Sequence, residues 1–169
     1  LAKQAMSPVY WEEIIKKLTE LSKTIATMES CTGGAVANSI TNIEGASLVF
    51  KFGAVTYSNE YKIKMGVDSN IIDKYTVYSI ETAMEMSKNI AEFSNADYGI
   101  GITGKINRED QNNMFGDNSK IFISIFESGK NNFSNFEIVA DSNLDREGNK
   151  KIVINKIIEK MKELLKLNQ

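Results

Sequence analysis

The sequence predicts an α/β fold: a three-layer sandwich in which a mixed β-sheet is flanked by helices. Three observations predict it. Stretches with apolar residues at helical spacing alternate with short apolar runs of strand length. Two strand-like runs, 120–127 and 133–140, look like a hairpin joined at Ser128-Gly129-Lys130. A long amphipathic stripe then closes the chain. A single domain is expected over residues 1–169.

The elements follow in order. Ser7 suits a cap and Pro8 a first helical position. Trp11, Ile14, Ile15, Leu18 and Leu21 then recur with the period of a helix. Residues 24–28 read as a short buried strand, and a polar glycine turn leads into a helix from about Gly34 to Ile43. Residues 48–58 carry Leu48, Val49, Phe50, Phe52, Val55 and Tyr57 and read as a strand, with Gly53 marking a bulge. Ser58 to Lys64 reads as a polar segment. Ser79 followed by Ile80, Ala83, Met84, Ser87, Ile90 and Ala91 marks a capped helix, and Tyr98 to Thr103 a strand. The last helix runs from about Asp145 to Leu165 on a stripe that includes Val153, Ile157, Ile158 and Met161. Asn107 to Ser119, rich in Asn and Asp, has no periodicity and reads as a functional or disordered loop.

Composition narrows the chemistry. The chain has no histidine, which excludes Ser-His-Asp and Cys-His mechanisms within one chain and all imidazole metal sites. Its one cysteine, Cys31, excludes an internal disulfide and a cysteine-rich zinc site. A hydrolase built from this sequence must take its base from Lys, Asp, Glu, Tyr or water. The net charge of −2 gives no positive field for nucleic acid or an anionic membrane. No apolar run approaches the roughly 20 residues that span a bilayer, and no secretory pattern is visible, so cytoplasm is the expected compartment.

Glu29-Ser30-Cys31-Thr32-Gly33-Gly34, between a strand and a helix, suits a small-ligand site, because glycines admit a ligand to the backbone and a helix start offers free N–H groups. A plain strand-to-helix connection explains the same residues. Glu29 reads equally as a cap or a ribose contact, and Cys31 as a small buried hydrophobe. Arg146 reads equally as the partner of an acidic neighbour.

Thr27-Met28-Glu29-Ser30-Cys31-Thr32-Gly33-Gly34 resembles the A-E-S-C-T-G-G signature of the CinA C-terminal family of nicotinamide-nucleotide amidases. The likeness continues through Thr41 to Ser47, Val55-Thr56-Tyr57-Ser58-Asn59-Glu60-Tyr61-Lys62, Tyr78 to Ala83, and Ala96-Asp97-Tyr98 leading to Ile102-Thr103-Gly104. The resemblance implies hydrolysis of nicotinamide mononucleotide to nicotinate mononucleotide and ammonia, without cofactor or metal, by a homodimer or higher homo-oligomer. By position it implies Ser47 as nucleophile, Lys62 as general base and Tyr57 as proton relay or orienter. It also implies Ser30, Thr32, Gly33, Thr103 and Arg146 as substrate contacts.

The chemistry is coherent, since a lysine held uncharged can activate a serine where no imidazole exists. One stretch departs from the family. After Thr103-Gly104 the usual glycine-proline loop, I-A-G-P-x-G-G, is replaced by Lys105-Ile106-Asn107-Arg108 and an Asn-rich continuation to Asp117. That change motivates a second reading, a nucleotide-binding protein without turnover. The family's link with competence and DNA damage gives a third, a partner-binding accessory protein.

Overall fold

The computed structural model describes residues 10–107 and 117–167. Five strands form one sheet in the order β2-β1-β3-β4-β5: β1 (Ile25–Glu29), β2 (Phe50–Val55), β3 (Tyr98–Gly104), β4 (Lys120–Glu127) and β5 (Asn132–Val139). Strand β1 runs parallel to both β2 and β3, whereas β3-β4 and β4-β5 are antiparallel. The sheet is therefore mixed, as the alternating and hairpin patterns predict. Six helices accompany it among the described residues: α1 (Glu12–Leu21), α2 (Ala35–Thr41), α3 (Asn59–Lys64), α4 (Ser69–Tyr75), α5 (Ile80–Ser94) and α6 (Arg146–Leu164). None of them is long and apolar enough to cross a membrane.

Side-chain alternation builds the three layers. Tyr98, Ile100 and Ile102 of β3 join Ile121, Ile123 and Ile125 of β4 against Trp11 just before α1, Ile14 and Leu18 of α1, and Val153, Ile157 and Ile158 of α6. On the other face Ala26 and Met28 of β1 meet Met86 and Ile90 of α5. Each fully buried aliphatic side chain contributes about 1.5–3 kcal/mol by leaving water. Helix α5 lies close on β3 because Gly99 and Gly101 have no side chain. A Cβ at Gly99 would stand 2.0 Å from the Ser87 carbonyl oxygen, and one at Gly101 2.4 Å from that of Ala83.

Caps fix the helix starts. Ser79 accepts from Thr82 N–H, and Asp145 from Gly148 N–H. The expected cap at Ser7 and Pro8 lies outside the described residues, and α1 begins at Glu12. The 107–119 loop also falls mostly outside them.

Three expectations are corrected. Strand β2 is shorter than 48–58, because Ala46–Leu48 forms a 3-10 turn before it. Its irregularity lies at Lys51, between the pairs Ile25–Phe50 and Ala26–Phe52, and not at Gly53. Gly53 serves packing instead: a Cβ there would come within 2.9 Å of the Phe50 ring and of Thr27 Oγ1. Finally, the polar 58–64 segment is helix α3, capped by Ser58, with Lys62 its one buried residue.

Candidate active site

The parallel strands β1, β2 and β3 end together, and the polar turns that follow them share that edge of the sheet. Ser30 follows β1 directly, and its N–H donates to the Ile102 carbonyl at 2.9 Å, tying the turn to β3. Thr56 follows β2, its N–H donating to the Glu29 carbonyl at 2.8 Å. Carboxyl ends of parallel strands are where open α/β sheets place ligands.

Lys62 reaches into this edge from α3. It is 2% exposed. Its Nζ donates to Ser30 Oγ at 3.0 Å and to the Thr56 carbonyl at 2.9 Å. The hydroxyl that Lys62 meets is thus that of Ser30, expected as a substrate contact and not as the lysine's partner.

Ser47 does not share this edge. It lies in the 3-10 turn before β2, exposed, beside the start of β1, where Ile25 N–H donates to the Val49 carbonyl. The register pairs Phe50 with Ile25 and Val55 with Glu29, so the length of the strand separates Ser47 from Ser30 and Lys62. At the usual rise per residue that is about 17 Å. The direct contact of Ser47 with Lys62 expected from the motif order does not form within one chain. Tyr57 lies between β2 and α3 with its ring 67% exposed.

Several other expected contacts carry structural work. Both Glu29 oxygens are used: Oε1 accepts from Thr32 Oγ1 at 2.6 Å and from Val36 N–H at 2.9 Å, and Oε2 from Ala37 N–H at 2.9 Å. Glu29 therefore caps α2, one of its two sequence readings, and Thr32 serves it. Gly33 adopts the left-handed φ of 61° that lets the turn close. Thr103 donates to the Val77 carbonyl at 2.8 Å, pinning the segment before α5.

Cys31 is buried, and burial pushes its thiol up to about 12 against the opposing pull of Lys62 and Arg146. It is a neutral thiol at working pH, in line with the small-hydrophobe reading. Arg146 starts α6, donates to the Ile106 carbonyl at 3.1 Å, and borders a groove of about 660 Å³ with Ile106, Asn118, Ser119, Leu144 and Asn149.

Sequence reasoning missed Lys105. It is 3% exposed, donates to Asn118 Oδ1 at 3.2 Å and lies 4.8 Å from the centre of the Tyr78 ring. Its signal was a cation directly after the glycine that ends β3, where the family pattern has an isoleucine.

The model of the CinA C-terminal domain matches residues 9–165, nearly the whole chain. The chain belongs to the CinA C-terminal domain family. A CinA-like protein of Kosmotoga olearia is 45% identical over 94 residues, covering 55% of this chain and 23% of that protein. The chain thus spans about a quarter of the length of the curated relative. Among solved structures, the competence/damage inducible protein CihA of Agrobacterium tumefaciens is 27% identical with a TM-score of 0.78, covering 94% of this chain and 93% of that one. A competence or damage-inducible protein of Enterobacter asburiae aligns with a TM-score of 0.81 at 22% identity over 91% of this chain and 94% of that one, and shows the shared fold. In this CinA domain the lysine, the signature turn and the start of α6 surround one edge of the sheet.

Proposed function

We propose that this CinA domain hydrolyses the amide of nicotinamide mononucleotide, with Lys62 as the base and Ser30 as the first hydroxyl on its proton path. The observation that carries the reading is the 3.0 Å contact between Lys62 Nζ and Ser30 Oγ, both groups buried beneath the signature turn. A hydroxyl both donates and accepts, so this contact can carry a proton toward an uncharged amine. A general base requires the uncharged amine. The Thr56 carbonyl holds the amine on its second side.

The family pattern makes the Ser47 hydroxyl the attacking group; standing about 17 Å from Lys62 in one chain, it reaches this site only from a second copy, and its proton then passes through Ser30 to Lys62. The resulting ammonium gives that proton to the leaving nitrogen, which departs as ammonia and leaves an ester on the serine. Water, deprotonated by the same lysine, cleaves the ester and releases the carboxylic acid, while the lysine returns the proton to the departing serine oxygen. Arg146 on the groove wall, with Lys105 behind Asn118, supplies positive charge for the nucleotide phosphate.

The test is a mass-spectrometric assay of nicotinamide mononucleotide with the purified protein. Acid product and ammonia in equal amounts, absent with Lys62→Ala, support the reading. A protein that is thermally stabilised by the nucleotide yet forms no acid is the non-hydrolysing binder suggested by the altered 105–117 loop.

A further inference from the structure

We infer that the edge of β2 pairs with β2 of a second copy of this chain, and that the pairing carries Ser47 of each copy to the Lys62 of the other. The role of Ser47 rests on the amidase reading above; the edge pairing does not. In one chain, Ser47 stands at the start of β2 and Lys62 beyond its end. A site using both residues is therefore incomplete in a single copy.

Strand β2 is an outer strand, bonded only to β1, so its other side presents unpaired backbone groups. This edge is largely apolar, with Lys51 the one charged residue of β2. Six of the eleven exposed large hydrophobic residues among those described fall within 48–63, including Leu48 at 69%, Val55 at 52% and Phe52 at 38%. The opposite outer strand, β5, is protected in the usual way, with Asn132, Ser134, Asn135 and Glu137 along it and an ion pair from Lys120 to Glu137. The apolar edge is the one left open to a partner.

A second copy is the occupant that fits, because antiparallel pairing of one strand with itself is two-fold symmetric. Centred between Phe52 and Gly53, the pairing sets Phe50 opposite Val55 of the partner subunit. Beyond the strand end, it brings the 3-10 turn that carries Ser47 and Leu48 toward Tyr57 of the partner subunit and Ser58 of the partner subunit. Ser58 caps the helix that carries Lys62 and lies two residues beyond Thr56, whose carbonyl holds that lysine. The same symmetry covers the exposed Tyr57 ring. Two complete sites arise per dimer, each built from both chains.

The experiment is complementation. Ser47→Ala, an exposed turn position, and Lys62→Met, which keeps the stem length, are each purified alone and then co-expressed with different tags. Each alone is expected to be inactive. Half of a random mixture is mixed dimer with one complete site, so about a quarter of wild-type activity is expected. A Phe52→Lys, Val55→Lys double variant is expected to be monomeric and inactive. An active wild type whose purified mixed dimer recovers nothing overturns the inference, as does a wild type that is monomeric at assay concentration or a fully active Ser47→Ala. A wild type that forms no acid defeats the amidase reading alone. Amide hydrogen exchange over 50–55 then decides the pairing, with protection matching β1 supporting it and fast exchange overturning it.

Discussion

Lys62 Nζ and Ser30 Oγ meet at 3.0 Å although 32 residues separate them in the chain. The contact depends on two elements that end at the same height. Strand β1 delivers Ser30 and β2 delivers Thr56, and the short helix α3 turns Lys62 back over both. An amine so placed is removed from water and held between a hydroxyl and a carbonyl, a setting suited to proton transfer.

Close packing of α5 on β3 is the first testable consequence of the fold. Gly99→Ala or Gly101→Ala places a methyl within 2.0 or 2.4 Å of helix carbonyl oxygens. Each is expected to lower stability by about 1–3 kcal/mol or more, measured by urea unfolding. Gly129→Ala, with nothing within 4 Å of the added carbon, is the control and is expected to stay near wild type.

Glu29 provides a second prediction. Replacing it by Gln removes the charge that three donors share and turns one acceptor into a donor facing an N–H. The expected loss is about 1–3 kcal/mol in urea unfolding, with α2 the element whose amide exchange quickens. Unchanged exchange across 35–41 contradicts the capping role.

Cys31 yields a pH prediction. Its folded value of about 12 stands above the unfolded value of 9.0. The unfolded chain therefore loses this proton first as pH rises. Stability attributable to the neutral thiol is complete below pH 9 and declines between pH 9 and 12. Cys31→Ala should flatten that part of the stability curve. In the native protein the thiol should also resist iodoacetamide at pH 8 and react fully once unfolded. Rapid native labelling contradicts the buried, protonated state.

The proposed function gives Lys105 a phosphate-binding role that can be tested. Lys105→Met is expected to raise KM for the nucleotide several-fold while leaving kcat nearly unchanged. The dephosphorylated nucleoside should show no such difference, because only the phosphate meets the cation. Equal effects on both compounds contradict a phosphate role.

Much of the fold was legible because the period of the apolar residues is strong where elements are long. Helix α6 and the β4-β5 hairpin lie within a residue of their expected bounds, and α5 starts behind its expected Ser79 cap and runs on to Ser94. Helices α3 and α4 were not legible: the first buries a single side chain, and that is a lysine, while the second buries none, so neither carries an apolar stripe. The site divides similarly. Motif order brings Ser30, Cys31 and Lys62 into view, and the structure gathers them. It cannot reveal that Ser47 and Lys62 lie at opposite ends of β2, because sequence spacing does not state whether a strand runs between two residues or beside them. Lys105 was obscured by the loop it opens.

The central claim is that Lys62 draws a proton through Ser30 during amide cleavage. Its most direct measurement is the rate of acid formation from nicotinamide mononucleotide by Ser30→Ala and Lys62→Met, each first shown by circular dichroism to retain the native fold. The account predicts that both variants lose activity by about 10²–10⁴-fold, the usual worth of a positioned proton-transfer group. A folded Ser30→Ala or Lys62→Met that turns over within threefold of wild type would contradict it.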